Sequence, residues 1–174
     1  LFEHVAAGVY ISSKEGKFLD ANPALLEMMG YADKNEFLNL DLARDIYRKA
    51  EERSVFQEMI EKSGRVIDYE VDFRKKDGTP IPVLLTAHVR YDPEGRVLGY
   101  EGICLDQSQR KRMERELKNA HDFLNNVIQS SPNPIMGTDM RGKIIIWNQG
   151  AEETLGYHAS DVIGEMNVQG IYLD

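Results

Sequence analysis

The sequence predicts an α+β fold: a five-stranded antiparallel sheet with helices on one face, then a linker helix and the first half of a second copy of the same unit. Three observations predict it. An internal repeat at an offset of 126 residues lays Gly16-Lys17 on Gly142-Lys143, Asn22 on Asn148, Glu27 on Glu153 and Gly30-Tyr31 on Gly156-Tyr157. A period this long is domain-sized. Residues 67–74 alternate apolar and charged side chains without a break, as a strand with one wet face does. Residues 107–130 are highly charged but carry Met113, Leu117, Ala120, Leu124 and Val127 at 4-3-4-3 spacing, a helical seam of about two heptads.

The elements follow in order. Val9–Ser12 and Phe18–Ala21 read as two short strands, paired antiparallel across a turn that Gly16 relaxes. Asn22-Pro23 opens a helix, Asn as N-cap and Pro at the first helical position. Leu25, Leu26, Met28 and Met29 supply its buried side and Gly30 stops it. Residues 32–46 predict one or two short helical turns. Residues 47–62 predict a longer helix with Val55, Phe56, Met59 and Ile60 as its apolar stripe, ended by Gly64. The alternation at 67–74 puts Ile67, Tyr69, Val71 and Phe73 on one face. Asp77-Gly78 is a hairpin turn. Residues 81–91 return with Val83, Leu85, Ala87 and Val89 on one side. Asp92-Pro93-Glu94-Gly95 is a second turn, and residues 96–105 form the last strand, with Leu98, Tyr100, Gly102 and Cys104 on one face. Asp106 or Ser108 caps the helix that follows.

Composition excludes several classes. A net charge of −8 leaves no surplus basic face for nucleic acid. One cysteine excludes an internal disulfide and suits a reducing, cytoplasmic setting. No apolar run reaches the roughly 18 residues needed to span a bilayer, so no membrane contact is expected of this stretch. The second copy, at 48 residues, falls below the roughly 60 that usually sustain a core alone, so it is expected to lean on a partner. No Walker loop, G-x-S-x-G elbow or H-E-x-x-H occurs. Ser54 has no base partner, and Asp20, Glu51 and Glu52 read as surface charge. An enzyme reading has little support.

The punctuation resembles PAS domains of bacterial and archaeal signalling proteins. Asn22-Pro23-Ala24 followed by Met29-Gly30-Tyr31 is similar to that family's N-x-A…G-Y segment. Lys76–Thr79, Asp92–Gly95 and Leu98–Gly102 resemble its C-terminal sheet. Asp106-Gln107-Ser108, then Arg110-Lys111-Arg112 and Glu116-Leu117, resemble the linker that ends many members, with Gln107 where Ile or Val is usual. The resemblance implies residues 1–106 as a PAS domain, 107–130 as an amphipathic signalling helix and 131–174 as the N-terminal part of a second PAS domain. It implies a non-enzymatic sensory or relay region of a multidomain protein such as a two-component sensor histidine kinase, whose output domain lies elsewhere. It also implies a homodimer through the linker helix and outer sheet face.

Within that frame, Tyr10, Tyr47, Phe56, Met59, Tyr69, Phe73, Tyr100 and Cys104 are the candidates to line an interior pocket for a small molecule. They serve equally as ordinary core. Arg44, near Tyr47, is a candidate for reaching an acidic ligand. The transmission candidates are Asp106, Ser108, Met113, Leu117, Ala120 and Leu124. The cofactor is open. Haem is disfavoured because the 47–62 helix has no histidine, while His4, His88, His121 and His158 lie elsewhere. Covalent flavin chemistry is disfavoured because no Asn-Cys-Arg-Phe-Leu-Gln stretch is present. Cys104 reads as a small buried hydrophobe or a pocket-facing thiol. No histidine–cysteine cluster has metal-ligand spacing. The rivals are a ligandless dimerisation or relay spacer, and a haem- or flavin-dependent redox or light sensor.

Overall fold

The strand order β2-β1-β5-β4-β3 makes one antiparallel sheet. These strands are β1 (Gly8–Ser13), β2 (Phe18–Ala21), β3 (Arg65–Arg74), β4 (Pro80–Tyr91) and β5 (Val97–Asp106). The computed structural model describes residues 7–171, in two compact units divided between Arg112 and Met113. His4 lies outside the described residues. Between β2 and β3 come α1 (Pro23–Met29), α2 (Lys34–Leu38), a π-helical turn at Leu42–Ile46, and α3 (Ala50–Ser63). The sheet's inner face buries Tyr10, Val71, Phe73, Ile81, Val83, Leu85, Ala87, Tyr100 and Cys104 against Leu25, Met29, Phe37, Ile46, Phe56 and Ile60 from the helices.

Local chemistry explains the early elements. Asn22 Oδ1 accepts from Leu25 N at 3.0 Å, capping α1, and from Val9 N at 2.8 Å. Its Nδ2 donates to Ala7 O at 2.9 Å. A single buried amide therefore fastens the start of β1 to the start of α1. Gly30 closes the helix in the left-handed region at φ 80°. Asp33 caps α2 through Asn35 N and Glu36 N. The two hairpin turns form where the sequence places them, with Asp77 accepting from Thr79 N and Asp92 from Arg96 N.

Three faces differ from expectation. In β3 the register slips by one residue between Val66 and Tyr69, with Asp68 at φ 52°. This bulge turns Ile67 outward and puts Val66 in the core. In β5 Gly99 abuts β1 so closely that a Cβ there would lie 1.9 Å from Ser12 O. A register shift between Arg90 and Tyr91 accompanies it, and Leu98 faces solvent while Val97 packs on the core. In α3 the buried stripe is Arg53, Phe56 and Ile60, while Val55 and Met59 face out. The helix begins at Ala50 rather than at 47.

The long helix α4 (Ser108–Ser130) follows β5. Asp106 Oδ1 accepts from Ser108 N at 2.7 Å, and Gln107 N donates to Pro82 O. The second unit contains β6 (Met136–Thr138), β7 (Ile144–Trp147), α5 (Gln149–Leu155), α6 (Ala159–Val162) and α7 (Val168–Ile171). It reproduces the first at an offset of 126. Tyr10↔Ala21 and Ser12↔Phe18 become Met136↔Trp147 and Thr138↔Ile144, with the register shift at the same place. The bridge Lys17↔Asp41 becomes Lys143↔Asn167. Asn148 Oδ1 accepts from Ile135 N at 2.7 Å and Ala151 N at 2.9 Å. Its Nδ2 is shared among Ile128 O, Ser131 O and Asn133 O.

Removing the amide should expose its cost. Asn22→Ala leaves buried backbone groups of both β1 and α1 without partners, so urea unfolding should show a loss of about 1–3 kcal/mol. An unchanged midpoint would contradict the role assigned to it.

Candidate functional site

Helix α3 lays Arg53 across the inner sheet face because Phe56 and Ile60, three and seven residues on, are drawn into the core. Arg53 is only 3% exposed. Its Cζ lies 4.9 Å from the Tyr100 ring centre, 5.4 Å from Phe56 and 6.0 Å from Tyr47. The guanidinium thus sits in a box of three aromatic faces whose quadrupoles favour a cation. None of its Nε, Nη1 or Nη2 atoms has a partner in full hydrogen-bond geometry, although the Tyr47 hydroxyl interacts with the guanidinium.

The box has its own support. Phe56 meets Tyr100 edge-on at 5.7 Å and 77°, and Tyr69 at 6.0 Å. Tyr47 meets Phe73 at 5.1 Å and 67°. Such aromatic pairs add about 0.5–1.5 kcal/mol beyond burial. The Tyr100 hydroxyl donates to Glu61 Oε1 at 2.5 Å and accepts from Gln57 Nε2 at 3.2 Å. Lys14 Nζ holds the other Glu61 oxygen at 3.2 Å. Burial, and then the bond to Glu61, pushes the Tyr100 hydroxyl up to about 12. The same bond, with Lys14, pulls the Glu61 carboxyl below its ordinary range. Burial raises Tyr47 strongly, and the Arg53 guanidinium opposes that rise.

Beside the box lies a cavity of about 10 Å³ lined by Tyr10, Leu25, Leu42, Tyr47, Phe73 and Cys104, among others. That is room for roughly one water. Six of the eight pocket candidates therefore share one core: Tyr10, Tyr47, Phe56, Phe73, Tyr100 and Cys104. Tyr69 is half-buried and packs on the box from outside the cavity. Met59 is excluded, because it is 43% exposed on the outer side of α3. Arg44 is also misplaced: its guanidinium is exposed and grips Asp45 at 2.8 Å, holding that carboxyl at about 2. Arg53 falls outside the apolar stripe that the sequence predicts for this helix because its side chain is charged. Its position three residues before Phe56 and seven before Ile60 was the available signal.

No described histidine lines the cavity. His88 is on the outer sheet face, His121 bonds Asn125 on α4, and His158 lies 3.9 Å from Glu152 in the second unit. Among the described residues no group of three potential metal ligands occurs. No described helix is long and apolar enough to cross a membrane. Cys104 is 1% exposed and burial pushes its thiol up to about 12, so it is neutral and shielded. The transmission candidates fall on the turn and on α4. Asp106 and Ser108 make the turn, while Met113, Leu117, Ala120 and Leu124 are all exposed.

A model described as PAS domain matches residues 6–109, and one described as PAS fold matches residues 122–169. The virulence sensor protein BvgS of Bordetella pertussis is 38% identical over 66 residues, 36% of this chain. The match spans 5% of that protein's length. Among solved structures, a domain of a sensory box sensor histidine kinase/response regulator from Geobacter sulfurreducens is 30% identical, with a TM-score of 0.50. It covers 61% of this chain and 88% of its own. The PAS domain of a Colwellia psychrerythraea protein superposes with a TM-score of 0.54 at 18% identity, over 60% of this chain and 89% of its own.

Two measurements check the site. Native Cys104 should resist an aromatic disulfide reagent at pH 8 and react fully in urea; prompt native reaction would refute its burial. The lowered Glu61 carboxyl contributes stability above its ordinary pKa, and that contribution disappears as pH falls through the depressed value. Tyr100→Phe should therefore move the Glu61 carboxyl upward in a carboxyl-detected NMR titration and make stability less sensitive to acid. An unmoved titration would show that Tyr100 does not set it.

Proposed function

Because the chain belongs to the PAS domain family, we propose that it is a sensory and relay region of a sensor-kinase-like protein. Residues 1–106 form the first PAS domain, 107–130 the signalling helix, and 131–174 the N-terminal part of a second. The histidine kinase output is assigned to other parts of the protein, by likeness to the Geobacter sensor kinase and to BvgS.

The observation that carries this reading is the state of α4. Its apolar seam is turned to water: Leu117 is 73% exposed, and Met113, Leu124 and Val127 are each more than half exposed. Phe123 widens the stripe. Two copies of the helix in parallel would bury these side chains against one another. The outer sheet face offers a second surface, a shallow depression lined by Val9, Ile11, Thr86, His88, Glu101 and Ile103. A change in the first domain reaches the helix through β5 and the Asp106–Ser108 turn, and biases one helix pairing over another. Lys111 Nζ, which meets Glu70 on β3 at 3.0 Å, adds a second tether.

A second reading, a relay spacer without a ligand, is favoured by the small size of the interior cavity. Both readings require the dimer. Sedimentation should find a dimer for the chain and a monomer for the double variant Leu117→Glu, Leu124→Glu. A monomeric parent, or a variant that stays dimeric, would remove the helix from the mechanism.

A further inference from the structure

We propose that the first unit's interior is a receptor for a short-chain monocarboxylate, gripped by Arg53 within the box of Tyr47, Phe56 and Tyr100. This rests on the sensory reading above and deepens it by naming the ligand class.

The argument begins with an unmet requirement. Buried polar groups are almost always hydrogen-bonded, and a buried charge without partners is costly. Arg53 is nine-tenths buried and more, yet three nitrogens of its guanidinium have no acceptor in full hydrogen-bond geometry. The aromatic faces around it stabilise its charge but do not satisfy its in-plane N–H groups. The Tyr47 hydroxyl interacts with the guanidinium, but one hydroxyl can meet only part of its five N–H donors, and the other nearby polar groups are engaged elsewhere. Both Glu61 oxygens are taken, by Lys14 and by Tyr100. Gln57 Nε2 donates to Lys14 O and to Tyr100. Glu52 also has a buried oxygen without a partner, and no hydrogen bond joins it to Arg53.

What fits a planar fork of donors in a dry site is a planar pair of acceptors. A carboxylate meets a guanidinium with two parallel hydrogen bonds, and the pair is strong where water is excluded. The adjoining space sets the rest of the ligand. Tyr47 is the residue shared between the box and the lining of the cavity; Arg53, Phe56 and Tyr100 stand behind it and do not line the void. The lining is apolar and Cys104 is neutral there, which disfavours a second charge. A void of about 10 Å³ holds roughly one water, so a carboxylate is admitted only with movement of the core and only if its tail is short. Formate and acetate are the expected sizes, with propionate near the limit.

The test uses the whole 174-residue chain. Formate, acetate, acetamide and chloride are titrated at matched ionic strength into the wild type, Arg53→Met and Arg53→Lys, with amide NMR spectra and melting temperature as readouts. Formate and acetate should shift the amides of Tyr47, Arg53, Phe56 and Tyr100 saturably and raise the melting temperature of the wild type. Acetamide and chloride should not. Arg53→Met should lose the saturable response, and Arg53→Lys should bind at least tenfold more weakly. If Arg53→Met does not fold, the wild-type amide map and Arg53→Lys decide. The proposal is overturned if the wild type shows no saturable response, as when water alone satisfies the guanidinium. It is also overturned if chloride acts like acetate or if the response survives in Arg53→Met. Dimerisation is read separately, so a chain that dimerises without binding carboxylate loses only the ligand assignment.

Discussion

One asparagine per unit holds the architecture in place. Asn22 and Asn148 are fully buried, and a buried amide must find partners for both its oxygen and its nitrogen. Each meets that demand by capping a helix with its oxygen while gripping the strand segment thirteen residues earlier. The helix cannot start elsewhere and the strand cannot slide without stranding those bonds. In the second unit the same amide also takes the carbonyl of Ile128 in the last turns of α4, so the end of the helix is tied to the start of the unit that follows it.

With the first strand fixed, the sheet's irregularities decide which side chains look inward. The bulge at Asp68 exchanges Ile67 for Val66, and the close approach at Gly99 exchanges Leu98 for Val97. Each is a one-residue event, and in a strand one residue inverts the face of everything beyond it. Tyr69, Val71 and Phe73 then align with Tyr100 and Cys104 on the concave side. Against that surface α3 brings an arginine as well as its hydrophobic side chains. The core is therefore not uniformly apolar. It carries a cation held by ring faces, with the Tyr100–Glu61–Lys14 chain leading from the box to the surface.

The two features of functional interest are of opposite kinds. The interior of the first unit is closed, with a charge that lacks a counterpart. The linker helix is open, with an apolar seam that lacks a cover. The strand β5 and the turn at Asp106 join one to the other by a short covalent path.

Much of this was legible in the chain itself. The 126-residue repeat, the Asn-Pro helix start, the glycine stops, the Asp-Gly turn and the 4-3-4-3 seam are each specified by residues close in sequence, because caps, turns and helical periodicity are local physics. The grouping of Tyr10, Phe73, Tyr100 and Cys104 followed from alternation once the strands were placed, Phe56 from the helical stripe, and Tyr47 from the family resemblance alone. What the chain alone left undecided were the rotation of α3, which buries Arg53 and exposes Met59, and the one-residue slips in β3 and β5. Those depend on contacts between residues brought together by the fold: Arg53 with Tyr100, Val66 with Ala87, and Gly99 with Ser12. Which side of a helix or strand is buried is a competition among distant partners for the same space, and only the assembled tertiary structure decides it.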